Sequence, residues 1–185
     1  LDPLLGDETR AVRIEAARAL AGGQDVLPAA RQHAWQRASQ EYLDTLLYTA
    51  DRPEARVALA GFQSALGQAD AAQESFAGAL RLDPDFMPAY VNAADALRAQ
   101  GRDAEAAELL QRGLLRNPSA AALHHALGLA RIRLQQTGLA VDSLRRAAEL
   151  DPQTSRYAYV YAVALHSTGR ADQSIRQLQQ AVRRW

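Results

Sequence analysis

Residues 69–84 of the chain read ADAAQESFAGALRLDP, and this segment recurs at a fixed spacing. Residues 103–118 read DAEAAELLQRGLLRNP, and residues 137–152 read TGLAVDSLRRAAELDP. Each copy ends in Asp-Pro or Asn-Pro, and the three prolines lie 34 residues apart. A fixed period of 20 to 50 residues is typical of helical repeat arrays, so the sequence indicates stacked repeats.

Alignment on the prolines divides the chain into four blocks, which are 53–86, 87–120, 121–154 and 155–185. A small residue, a large apolar residue, a second small residue and Pro recur at fixed offsets. They are Ala72, Phe76, Ala79 and Pro84; Ala106, Leu110, Gly113 and Pro118; Ala140, Leu144, Ala147 and Pro152; and, in the fourth block, Ser174, Leu178 and Ala181. Apolar residues at helical spacing predict two helices in each block, with Leu110 and Leu144 buried between paired helices.

A turn is predicted in the middle of each block. Gly67, Gly101 and Gly169 mark it in three blocks, and Gln135 takes the same place in the third. Glycine supplies the left-handed conformation that ends a helix, and the proline after the second helix cannot continue that helix.

These features strongly resemble the tetratricopeptide repeat family over residues 53–185. The resemblance implies an all-α fold, a right-handed α-α superhelix (solenoid) of four helical hairpins, in which each hairpin buries its apolar face against the next. The sequence departs from the family at one first-helix position that is usually Trp or Leu. That position holds Arg56, Tyr90, His124 and Ala158.

The first 52 residues differ from the repeats. Residues 7–20 read as one amphipathic helix with acidic residues at its start, which Gly22 and Gly23 end, and the helix resembles the second helix of a HEAT-type repeat. A longer helix is predicted from Pro28 to Ala50. We therefore predict an N-terminal helical cap at 1–52 and a repeat array at 53–185.

The chain begins with Leu1 and ends at Trp185 before the closing Pro of the fourth block. This favours a processed or trimmed piece of a larger bacterial protein. A HEAT-like helix before tetratricopeptide repeats resembles the C-terminal region of some exported bacterial multihaem cytochrome-like proteins. That resemblance implies an alternative function, a structural accessory domain of an exported redox protein in the periplasm. Without it, a cytoplasmic and a periplasmic location both remain open.

Composition excludes several classes of protein. The 21 basic residues are all Arg and are balanced by 21 acidic residues, so the formal charge of zero argues against a nucleic-acid partner. The absence of Cys excludes disulfides, thiolate zinc sites and covalent haem attachment in this chain. No run of 18 apolar residues occurs, so no membrane span is expected.

Charge is unevenly distributed along the chain. Residues 1–92 hold 8 Arg and 13 acidic residues, whereas residues 93–185 hold 13 Arg and 8 acidic residues. Two explanations stay open. One is ordinary surface variation, and the other is an acidic partner for the C-terminal repeats.

No catalytic residue, metal site or cofactor is expected. The four histidines, His33, His124, His125 and His166, form no helical ligand pair, and no phosphate-binding glycine motif occurs. A helical enzyme is the least favoured interpretation, since it would need a polar site that the sequence does not reveal.

The family resemblance implies that the first helices line a concave surface, which we call the inner groove. Its inward positions combine apolar and aromatic residues with an Arg-rich rim, the composition of a groove that binds a protein or peptide. Chaperone-binding members of the family hold a C-terminal carboxylate in a clamp that includes Lys. This chain has no Lys, so a co-chaperone role is disfavoured. The alternative is that Leu129 and Val163 only pack against neighbouring helices. The predicted groove residues are Asn92, Asp95, Arg98, His125, Leu129, Arg133, Arg156, Tyr159, Val163 and His166.

The last helix is predicted to carry an apolar stripe, because Leu178, Val182 and Trp185 are spaced four and three residues apart. Within residues 1–185 there is no further repeat to cover it. We expect a second copy of the chain (a homodimer) or a further helix to cover this stripe. The alternative is that it turns inward onto Leu165 and Tyr161 of its own hairpin.

Overall fold

The computed structural model describes residues 2–183, and over these residues its regular secondary structure is all helical, with no β-strand. The predicted all-α class is therefore confirmed. The α-helices are α1 (Arg10–Leu20), α2 (Ala29–Tyr48), α3 (Pro53–Ala65), α4 (Ala69–Leu82), α5 (Met87–Ala99), α6 (Asp103–Arg116), α7 (Ala121–Arg133), α8 (Thr137–Leu150), α9 (Ser155–Ser167) and α10 (Ala171–Val182). Two short 3₁₀ turns lie at Asp2–Gly6 and Gln24–Val26.

Each predicted block contains one pair of helices, and the predicted mid-block turn separates the two. Gly67, Gly101 and Gly169 have φ angles of 73°, 74° and 77°. Gln135, at the same place in the third block, also has a positive φ of 60°. The turn therefore imposes a left-handed residue even where the side chain is not glycine, at a cost of roughly 1–2 kcal/mol.

The chain divides into two compact units, Leu1–Ala89 and Tyr90–Trp185. The boundary falls inside α5. The change of sequence pattern at residues 52 and 53 marks the start of the repeats, and the compact units separate later, within the second block. We describe each unit by itself.

The first unit contains the N-terminal helices and the first repeat. Leu5, Ala16, Ala17 and Ala38 form a core between the first 3₁₀ turn, α1 and α2. A second cluster joins α2 to α3, where the rings of Tyr42 and Phe62 meet edge to face with centroids 4.9 Å apart.

The start of α1 is later than the sequence predicted. The carboxylate of Asp7 accepts the backbone N–H of Thr9 at 2.8 Å, and the helix begins at Arg10. Aspartate competes for backbone donors in this way, which favours a turn between the first 3₁₀ segment and α1.

The second unit stacks helices in chain order, with α6 packed on α7, α7 on α8, α8 on α9 and α9 on α10. Leu110 and Leu144 are fully buried, which confirms the predicted repeat alignment. Close approach of α7 to α8 depends on Gly128, because a β-carbon there would lie 2.6 Å from Leu144 Cγ.

Candidate functional site

One exposed stripe on α9 combines apolar and basic residues. Arg156, Tyr159, Val163 and His166 follow one another at spacings of three, four and three, so they share a face of α9. Tyr159 is 61% exposed and Val163 is 49% exposed. The opposite face of α9 supplies the buried Leu165. The helix thus offers an aromatic ring and a branched side chain to solvent.

Helix α7 contributes residues of mixed exposure. Leu129 is half-buried, Ile132 is 37% exposed, and Arg133 at the helix end is exposed. Leu129 therefore packs partly against its neighbours while its remaining surface stays accessible.

His125 differs from the other predicted groove residues because it is only 6% exposed. The ring of Tyr157 lies over it, with centroids 4.8 Å apart. Neither ring nitrogen has a hydrogen-bond partner among residues 2–183. His125 is thus a covered residue, and aromatic packing limits its access to a ligand.

Burial lowers the pKa of His125 to about 4, and the positive charges of Arg156 and Arg98 act in the same direction, against Asp95. At neutral pH the imidazole is uncharged, with one protonated and one unprotonated ring nitrogen. Three predicted groove residues from two other helices, Arg156, Arg98 and Asp95, therefore lie within electrostatic reach of His125.

A polar cavity lies between α5 and α7. It measures about 460 Å³ and is lined by Asp95, Arg98, Ala99 and Arg133. Asp95 and Arg98 form an ion pair within α5, and the Nε of Arg98 is buried without a hydrogen-bond partner in the described part of the chain. The structure thus brings together three predicted residues from α5 and α7.

Asp103 is a member of this polar group that sequence reasoning missed. Its Oδ1 accepts a hydrogen bond from Arg133 Nε at 2.7 Å, and its side chain is only 12% exposed. Asp103 is the first residue of α6, thirty positions before Arg133, so only the packing of α6 beside α7 reveals the pair. Asn92 is exposed on α5 and does not line the polar cavity.

The apolar stripe on α10 is uncovered. Ile175 is 53% exposed, Leu178 is 37% exposed and Val182 is 75% exposed. The alternative that these side chains turn inward onto their own hairpin is therefore wrong for Val182, whereas most of the Leu178 side chain is covered. Trp185 lies outside the described residues.

Residues 2–183 contain no cluster of three or more His, Asp and Glu side chains arranged to hold a metal ion. Within the same range, no helix combines the length and the apolar character needed to cross a bilayer.

Comparison with family models decides the classification. Two models described as tetratricopeptide repeat match residues 65–132 and 125–185. The chain belongs to the tetratricopeptide repeat family. Such repeats are generally non-catalytic and serve interactions between proteins. The family therefore assigns the chain to the general class of protein-interaction scaffolds.

Solved structures of tetratricopeptide proteins share the fold. A thermophilic TPR protein of Thermus thermophilus, TTC0263, is 24% identical, with a TM-score of 0.63 over 92% of this chain and 90% of that chain. MamA from Desulfovibrio magneticus RS-1 is 18% identical, with a TM-score of 0.62 over 92% and 94% of the two chains. Another MamA structure is 19% identical, with a TM-score of 0.60 over 95% and 91%.

At these identities the likeness establishes the tetratricopeptide fold alone. No curated protein matches the chain. The resemblance to multihaem cytochrome-like proteins gains no support from these comparisons.

Proposed function

We propose that this tetratricopeptide scaffold is non-enzymatic and binds a protein or peptide in the inner groove of its second unit. The observation that carries the proposal is the exposed α9 stripe, in which Tyr159 and Val163 face solvent on a helix that contacts α7 through Tyr157 and His125. Exposed aromatic and aliphatic groups beside Arg residues form typical anchors at protein interfaces. The proposal holds whether the chain acts alone or as a module of a larger bacterial protein.

The two ends of the inner groove differ in chemistry, which suggests how a ligand lies in it. Tyr159, Val163 and Leu129 supply apolar surface for one or two side chains of a bound segment. Asp95, Arg98 and Arg133 surround the polar cavity, where main-chain carbonyls or a carboxylate would find donors. An extended peptide with apolar and acidic residues suits both parts.

Arg156 supplies the positive charge that is open to a ligand. Arg98 pairs with Asp95 and Arg133 pairs with Asp103, whereas Arg156 is exposed and forms no ion pair within residues 2–183. The 13 Arg against 8 acidic residues in 93–185 add a longer-range attraction for an acidic partner.

The proposal is tested by selecting peptides from a displayed library and measuring their affinity for matched variants. Tyr159→Ala with Arg156→Ala removes the aromatic anchor and the unpaired charge. Both side chains are exposed, so the midpoint of thermal unfolding should change little while affinity falls at least about tenfold. Arg133 is a poorer choice, because its removal would leave the mostly buried Asp103 without its partner.

Leu115→Ala with Leu139→Ala serves as the matched control, since both residues are exposed apolar side chains on the second helices α6 and α8. This pair should leave affinity unchanged. Loss of binding in the control and normal binding in the α9 variant would place the ligand outside the inner groove.

A further inference from the structure

A mostly apolar cavity lies in the second unit against α6, α7 and α8, and it shares no residue with the inner groove. This α6–α8 cavity measures about 490 Å³. Leu114, Leu115 and Leu127 contribute apolar surface to it, and they are half-buried, 84% exposed and buried, respectively. Cavities of roughly 300–1,000 Å³ with mainly apolar walls and a few polar groups are typical of small-molecule sites.

The apolar character of this cavity is specific to one repeat. Leu115 occupies a position where the preceding and the following blocks hold Arg81 and Glu149. Both of these form ion pairs, Arg81 with Glu74 at 2.6 Å and Glu149 with Arg145 at 2.9 Å. The cavity at the same place one block later measures about 370 Å³ and is more polar. The exposed leucine is therefore a local feature and not a requirement of the repeat.

Arg131 lines the same cavity at a position that is apolar in the neighbouring repeats. Its counterparts are Leu97 and Leu165, and both are buried. The Nη1 of Arg131 donates to Ser143 Oγ at 2.6 Å and to Leu139 O at 3.3 Å. Its Nε is buried without a hydrogen-bond partner, and its Nη2 makes no hydrogen bond within residues 2–183. The guanidinium thus keeps unused donors beside apolar surface.

The charge of Arg131 also lacks a close counter-ion, because Arg131 forms no ion pair within residues 2–183. Asp142, the acidic residue of the lining, is exposed and lies 3.9 Å from Arg145. Arg146 adds a second positive charge to the lining, 3.7 Å from Glu149. Burial lowers the pKa of Arg131 and Asp142 acts against it, while the guanidinium stays charged at neutral pH. A partly buried cation without a paired anion costs free energy, which an anionic ligand would offset.

We propose that the α6–α8 cavity binds a small amphiphile with an alkyl chain and one carboxylate. The alkyl chain lies on Leu114, Leu115 and Leu127, and the carboxylate accepts hydrogen bonds from Arg131 with Arg146 beside it. Charge-assisted hydrogen bonds fix the carboxylate, and burial of the chain adds affinity in proportion to its apolar area. This site is separate from the inner groove and does not depend on the proposed function.

A segment of a partner protein is the main alternative occupant. A stable protein interface takes roughly 800 Å² from each partner. Exposed charged residues flank the apolar surface, Glu108 and Arg112 on α6 and Arg145 and Glu149 on α8. The apolar surface is therefore confined to the cavity, which favours a small ligand over a protein segment.

Isothermal titration calorimetry of the 185-residue chain with decanoate, below its micelle concentration, tests the proposal. The wild type should show saturable binding to a single site with a Kd below about 1 mM. Acetate has the carboxylate without the chain, and decyltrimethylammonium has the chain with the opposite charge. Each should bind at least about tenfold more weakly than decanoate.

Matched variants locate the site. Arg131→Gln removes the charge, and the first repeat holds glutamine at the same position, where Gln63 accepts a hydrogen bond from Ser75 at 2.7 Å. Leu115→Glu places in this exposed position the residue type that the third block carries. Each change should raise the Kd for decanoate at least about tenfold. Arg176→Gln loses the same charge at an exposed site on α10 and should bind like the wild type.

Two further measurements separate this site from the inner groove. Tyr159→Ala with Arg156→Ala should bind decanoate like the wild type, because neither residue lines the α6–α8 cavity. A peptide selected for the inner groove should not displace decanoate. Failure of either proposal therefore leaves the other intact. Urea unfolding of every variant checks that its fold is retained.

Absence of saturable decanoate binding at about 1 mM would overturn the proposal. Equal affinity for decyltrimethylammonium would do the same, because the carboxylate would then play no part. Normal decanoate binding by folded Arg131→Gln or Leu115→Glu, or displacement of decanoate by the groove peptide, would place the ligand elsewhere and would also overturn it.

Discussion

At the scale of single residues, His125 couples the stability of the second unit to pH. Its folded-state pKa is lowered to about 4, below the usual value of 6.5, because the ring is buried and lies near Arg156 and Arg98. Between these two pH values the unfolded chain binds a proton that the folded chain excludes. The resulting stability is fully present above about pH 6.5 and is lost as the pH falls towards 4.

We predict that His125→Phe removes this pH dependence. Phenylalanine keeps an aromatic ring beside Tyr157 and leaves no unpaired nitrogen, so stability at pH 7 should change by less than about 1.5 kcal/mol. Below pH 6.5 the wild type should lose at most about 1.4 kcal/mol per pH unit relative to the variant. Urea unfolding of both proteins from pH 7.5 to 4.5 measures the difference.

The control for this experiment is His166→Gln, because His166 is exposed at the end of α9. Its unfolding free energy should follow that of the wild type across the pH range. If His125→Phe keeps the full pH slope of the wild type, another group carries the effect and His125 is wrongly assigned.

At the scale of helices, the crossing of α7 and α8 depends on the fit of Gly128 against Leu144. Alanine is a better helix former than glycine by about 1 kcal/mol, yet a β-carbon at Gly128 would lie 2.6 Å from Leu144 Cγ. We predict that Gly128→Ala lowers the unfolding free energy by about 1–3 kcal/mol, since overpacking exceeds the gain in propensity. Gly138→Ala in α8 is the matched control, with no atom within 4 Å of the new β-carbon, and it should be neutral or stabilising.

Leu144→Ala tests the other side of the same contact. Leu144 is fully buried, so its truncation should cost about 2–5 kcal/mol. In the double variant with Gly128→Ala, the new methyl group occupies space that the leucine left. The combined cost should therefore be smaller than the sum of the two single costs, as measured by denaturant unfolding. Additive costs would show that the two residues are not in direct contact.

The sequence could predict most features at the helix scale because each depends on local chemistry repeated every 34 residues. The four mid-block turns follow from glycine in three cases and from alignment in the case of Gln135. The predicted start of α1 was less accurate. The hydrogen bond from the Thr9 N–H to Asp7 depends on local geometry that periodicity does not encode.

At the scale of the whole molecule, the repeat pattern predicted the fold class, whereas the candidate site was only partly predictable. Positions on one face of a helix, such as Tyr159 and Val163 on α9, follow from spacing alone. The bond from Arg133 to Asp103 and the covering of His125 by Tyr157 join different helices, so they depend on packing that no local pattern encodes. The division inside α5 likewise follows from contacts across the chain.

The second unit contains another cavity that could compete with the inner groove for a ligand. This α6–α8 cavity measures about 490 Å³ and includes Leu115, Leu127 and His124 in its lining. It is more apolar than the polar cavity of the groove, and it lies against α6 and α8, the second helices of their pairs. A binding experiment therefore has to report where the ligand lies.

Backbone amide shifts of the isotopically labelled chain test most directly whether the inner groove binds the partner. The chain is titrated with a peptide selected on the wild type, and shift changes are mapped onto the helices. We predict that the largest changes fall on α5, α7 and α9 around Arg98, Leu129 and Tyr159. Changes concentrated around Leu115 and Leu127 in the α6–α8 cavity, with α9 unaffected, would contradict the claim.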